Sequence, residues 1–146
     1  MAFRFSLAAV LKYREALELR EFVALEKVQQ DIARLEGQIH EAEHERCAKE
    51  QRRGQELTHG MRSRLLQEAI DDELAIEGYR DELTKKQNAL TLKRQELFKA
   101  YQESRRKREI LEKLRDRKLA EYTHEQAKAE QATIDDLFLA RRKPAQ

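Results

Sequence analysis

Between Phe3 and Lys143 the chain has no proline, and its four glycines, Gly37, Gly54, Gly60 and Gly78, stand alone. Proline removes a backbone donor and glycine adds backbone freedom, so their scarcity leaves little to interrupt a helix. Isolated glycines also exclude a glycine-rich phosphate loop. Tryptophan is missing and aromatics are 6% of residues, too few to fill a thick core. One cysteine, Cys47, excludes an internal disulfide framework and suits a reducing compartment. No stretch approaches the roughly 20 apolar residues of a membrane span, and the N-terminus lacks the apolar run of a secretory signal. An intracellular protein with no direct membrane insertion is expected.

What is present is charge and leucine. Charged residues make up 40% of the 146, in near balance, with 30 basic and 28 acidic. A net charge of +2 gives no strong field to attract nucleic acid or anionic lipid. Glu45 precedes Lys49 by one helical turn, as Asp81 precedes Lys85, Glu82 precedes Lys86, Glu103 precedes Lys107 and Glu109 precedes Lys113. Each such pair supports an exposed helix by roughly 0.2–0.5 kcal/mol.

Leu25, Val28, Ile32, Leu35, Ile39 and Ala42 follow at alternating steps of three and four, the mark of a coiled-coil seam. Upstream, Phe3, Leu7, Val10, Leu11 and Leu17 form a looser stripe whose register drifts. Regularity fails between Arg46 and Arg64, and Thr58-His59-Gly60 is the expected reversal, since glycine readily takes the left-handed conformation that ends a helix. Ser63 is the expected cap of the next helix. That helix carries Leu66, Ile70, Leu74, Ile76, Tyr79, Leu83, Leu90, Leu97, Tyr101, Leu111 and Leu114, with Lys86, Lys93 and Arg108 expected at alternate seam positions.

The fold read from this pattern is all-α: two long helices in an antiparallel coiled-coil hairpin, the second overhanging the first. Residues 1–146 form one domain, with helices at about 3–57 and 63–142 and a turn at about 58–62. Partners then lie where residue numbers sum to about 120, which sets Phe5 beside Arg115 and leaves everything past Asp116 uncovered. The paired section is roughly 80 Å long and the overhang roughly 40 Å. An apolar patch of Ile134, Leu137 and Phe138 lies on that overhang, followed by Arg141, Arg142, Lys143 and the helix-stopping Pro144.

Three clusters invite a chemical reading. His40, His44 and Cys47 share a helical face, but zinc wants four ligands and the opposite arm offers no others, so no metal site is expected. Arg105-Arg106-Lys107-Arg108 resembles a phosphate-binding run, yet Glu103 and Glu109 flank it and a solvated face is expected instead of nucleic-acid binding. Asp71-Asp72-Glu73 lacks a pocket that excludes water, so neither catalytic nor cofactor-binding residues are assigned and no enzyme is expected.

The opening Phe3-x-Phe5-x-Leu7, with Val10-Leu11, Arg14 and Glu15, resembles the start of the flagellar export protein FliJ. The two charged arms broken at Gly60 and the basic end, Arg-Arg-Lys-Pro, are similar too. The resemblance implies a cytoplasmic component of the flagellar type III export apparatus, peripheral to the inner membrane at the flagellar base. It implies a stalk-like coiled coil that enters the pore of a hexameric export ATPase, promotes its activity and couples it to the membrane export-gate protein, with export chaperones among its contacts. By that resemblance Phe3, Phe5, Leu7, Ile134, Leu137, Phe138, Arg141 and Arg142 are assigned to the ATPase. Leu57, Met61, Leu66, Ile70 and Leu74, at the turn and the start of the second helix, are assigned to the gate. A competing reading is a generic coiled-coil scaffold in which two chains pair through the Leu25–Ala42 seam.

Overall fold

The computed structural model describes residues 2–142. Two helices account for nearly all of them: α1, Ala8–Thr58, and α2, Ser63–Arg142, packed as an antiparallel hairpin with α2 running on past its partner. The expected all-α hairpin is the observed fold. Two compact units are distinguished, Glu21–Tyr101 and Met1–Arg20 with Gln102–Gln146.

The reversal works as glycine chemistry dictates. The amides of His59 and Gly60 donate to the carbonyls of Glu56 and Leu57, at 3.2 and 3.3 Å, closing α1 with tighter turns. Gly60 then adopts a φ of 85°, the left-handed region that L side chains avoid. Thr58 Oγ1 donates to the Gly54 carbonyl at 2.9 Å, occupying another acceptor at the helix end. At the start of α2 the first helical bond runs from the Leu66 amide to the Arg62 carbonyl, at 3.0 Å. Arg62 therefore holds the cap position, one residue before the expected Ser63, which is instead the first helical residue.

In the Glu21–Tyr101 unit the predicted seam is where it was read: Leu25, Val28, Ile32 and Ala42 are buried, with Leu35 and Ile39 half-buried. Leu83 is buried opposite, with Leu90 and Leu97 half-buried. Sequestering one such aliphatic side chain is worth about 1.5–3 kcal/mol. Because α2 of the same chain covers this seam, it offers no free face for a second chain, contrary to the scaffold reading. Phe22 and Tyr101 close the unit with ring centroids 5.8 Å apart.

The seam runs further than leucines reveal. On α1 the shielded positions alternate by three and four without a break from Leu11 to Arg53, through Arg14, Glu18, Glu21, Arg46 and Lys49. On α2 the same alternation runs from Leu66 to Arg115 and includes Glu73, Arg80, Gln87, Arg94, Ser104 and Arg108. The register therefore neither drifts upstream nor fails after Arg46; charged side chains take over the inward positions. Lys86 and Lys93 are exposed, and Gln87 and Arg94 sit inward in their place, because the step after each leucine is four residues, not three. Arg108 is inward as expected, at 20% side-chain exposure.

In the other unit Leu11 and Ser104 are buried. Residues 2–5 are not helical, and the expected start at Phe3 gives way to Ala8, whose amide donates to the Phe5 carbonyl at 3.2 Å. An extended segment covers more than twice the distance per residue of a helix. Phe3 accordingly reaches Tyr122, with ring centroids 5.5 Å apart. The uncovered part of α2 begins at Thr123, later than the expected Asp116, and every described residue from there to Arg142 is exposed.

Candidate functional site: the turn and the uncovered end of α2

Cross-helix ion pairs set the register at both ends. Arg53 Nη1 meets Glu73 Oε2 at 2.7 Å, Arg80 binds Glu43, and Arg108 binds Glu18 while also reaching Glu112 at 2.7 Å. Each pair, like Phe3 with Tyr122 and Phe22 with Tyr101, lies three to six residues beyond the expected register, so Phe5 is not the partner of Arg115. Side chains lean toward their own helix N-terminus, which displaces each contact by about one residue per helix. The turn, centred just after Gly60, adds about one residue more.

The Arg80 hydrogen bond holds the Glu43 carboxyl below the usual glutamate range, with Arg46 adding to the effect and desolvation opposing it. Arg80 is raised above its ordinary value by the hydrogen bond to Glu43, and Arg108 by those to Glu18 and Glu112.

Three of the four cations of the basic run are paired where they stand. Arg105 pairs with Glu109 at 3.0 Å, Lys107 with Glu103 at 3.9 Å, and Arg108 faces the seam. Of the expected turn-spaced pairs, Glu45–Lys49 and Glu103–Lys107 form, whereas Glu109 turns to Arg105. Cys47 is exposed, as are His40 and His44, and among the described residues no cluster of three or more His, Cys, Asp or Glu is arranged to hold a metal. Glu73 of the acidic triplet is committed to Arg53, and Asp71 accepts from Gln67 at 3.1 Å.

The residues assigned to an ATPase fall into two groups. Ile134, Leu137 and Phe138 lie on the uncovered turns of α2, 57%, 61% and 61% exposed, with Arg141 and Arg142 in the last turn, where cations favour the helix dipole. Phe3 and Phe5 are half-buried, and Phe3 is engaged by Tyr122, twelve residues and about 18 Å short of Ile134. Leu7 is exposed. The structure thus does not bring the two groups into one patch. Around Tyr122 lies a feature the sequence reading missed: a shallow groove lined by Asp116, Leu119, Ala120, Thr123, His124 and Ala127. Small residues at helical spacing were its only signal.

The residues assigned to the gate surround the turn. Leu57 and Leu74 are exposed, whereas Met61, Leu66 and Ile70 are half-buried, Leu66 on the seam row. Beside them Met61, Leu65 and Ala69 floor a second groove, edged by Glu56, Glu68 and Asp72. Leu65, 50% exposed, contributes to it. No helix among the described residues is long and apolar enough to cross a membrane.

No curated protein and no solved structure matches the chain. The family described as flagellar FliJ protein matches it over residues 3–144, nearly its whole length. The fold expected from that resemblance is the fold observed, and the chain belongs to the flagellar FliJ family, whose members are structural components of the flagellar protein export apparatus.

Proposed function

We propose that the protein acts in the cytoplasm as the stalk of the flagellar export ATPase, seating the uncovered end of α2 in the pore of the hexamer and promoting its activity. The observation that carries this reading is the run Ile134, Leu137 and Phe138, exposed on a helix with no intramolecular cover and ended by Arg141 and Arg142. Scattered exposed apolar residues need no explanation, but three within two turns on an uncovered helix mark a binding surface. Among the N-terminal residues Leu7 is free to join this contact, while Phe3 supports it indirectly by holding Tyr122. The turn, with Leu57, Met61, Leu66, Ile70 and Leu74, faces the membrane export-gate protein, and export chaperones are further partners.

Truncation after Ala132 tests the ATPase contact. Among the described residues every position from Thr123 on is exposed, so the shortened chain keeps its hairpin and melting transition while losing stimulation of the hexamer. Undiminished stimulation by the truncated chain refutes the assignment.

A further inference from the structure

We infer that the exposed face of α2 from Leu119 onward is also a self-recognition surface, on which two copies of this chain pair reversibly and antiparallel through Leu119, Thr123, Ala127, Ile134, Leu137 and Phe138. This inference does not rest on the ATPase assignment. All six side chains fall within about 100° of one another on the helix. The face is lopsided: its first half is the groove floored by Leu119, Ala120, Thr123 and Ala127, and its second half carries the bulky, exposed Ile134, Leu137 and Phe138.

Antiparallel pairing centred near Lys128 sets each half against its complement. Leu137 then meets the second copy's Leu119, Phe138 enters the groove at Ala120, and Ile134 lies over Thr123. The same arrangement sets Arg141 against the second copy's Asp116, one ion pair at each end. Parallel pairing instead sets bulk on bulk, Arg141 on Arg141 and Asp116 on Asp116. Charge and shape therefore both select the antiparallel arrangement and a second copy of the chain as occupant.

The pairing is weak for two reasons. About twenty exposed residues of one helix bury less than the roughly 800 Å² per partner typical of a stable interface. Glu130 also comes within about 6 Å along the axis of its counterpart near the centre, where the like charges repel. A reversible pair of this kind covers Ile134, Leu137 and Phe138 until another surface competes for them.

Sedimentation equilibrium of the full chain carrying Cys47→Ser, which prevents chance disulfides, is the test. A monomer–dimer equilibrium with a dissociation constant of about 10–100 μM is expected. Ala127→Glu in the middle of the face weakens it at least about tenfold, and Glu130→Gln tightens it by about threefold or more. Asp116→Arg and Arg141→Asp each weaken it, and the two together restore it. Circular dichroism confirms that each variant keeps its helices. A chain monomeric up to about 1 mM overturns the inference. So does a dimer indifferent to Ala127→Glu, which places the contact elsewhere, or a charge swap that fails to restore pairing.

Discussion

Glu43 and Arg80 illustrate what one charged residue does in a narrow seam. Arg80 occupies an inward position of α2 and donates across the helices to Glu43, which flanks the buried Ala42 on α1. Because that bond depresses the Glu43 carboxyl, the unfolded chain takes up its proton at a higher pH than the folded one. The stabilisation is complete above the ordinary glutamate value of about 4.3 and is lost as pH falls through the lower, folded one. Melting temperature therefore declines as pH falls below the ordinary glutamate range. In Glu43→Gln the decline is smaller, and an equal or steeper one rules out this contribution. Residues of this kind explain what the sequence concealed. Arg14, Glu18, Arg46, Arg53, Gln87 and Arg94 occupy inward positions, but hydrophobic periodicity assigns any charged or amide side chain to the outside.

Along each helix, the distribution of apolar and ionic positions predicts where the hairpin opens first. From Leu25 to Ala42, α1 presents an aliphatic seam to Leu83, Leu90 and Leu97. From Arg46 to the turn its inward positions are Arg46, Lys49 and Arg53, facing Leu66, Ala69, Glu73 and Ile76. Two buried atoms there, Arg46 Nε and Glu73 Oε1, have no hydrogen-bond partner, at a cost of about 1–3 kcal/mol each when water is excluded. Amides of residues 46–58 and 63–80 should exchange with solvent at least about tenfold faster than those of 25–42 and 83–97. Uniform protection across the two stretches contradicts this. The aliphatic seam was legible because both alternating positions are apolar. The helix ends at the turn were harder to place, since they are set by backbone bonds to Glu56, Leu57 and Arg62 that no side-chain pattern announces.

At the scale of the molecule, reversal depends on one residue. A Cβ on Gly60 would meet nothing within 4 Å, so the cost of Gly60→Ala is conformational alone, about 1 kcal/mol for the left-handed backbone. The midpoint of urea unfolding should fall with an unchanged slope, whereas an altered slope means that the chain has found another way to turn. The hairpin and its reversal at Gly60 were readable because no other break competes with it. The register was not, because the lean of side chains displaces contacts from the backbone alignment. The N-terminal aromatics were misjudged as helical since their spacing fits a helix, although they lie before Ala8.

The twenty residues from Thr123 to Arg142 keep their helical form while exposed throughout. Helices of that length are marginal in water on backbone bonds alone. Whatever binds this segment must therefore finish folding it, and part of the attraction is consumed in suppressing the fraying of its last turns. Such a grip releases more readily than its contact area suggests.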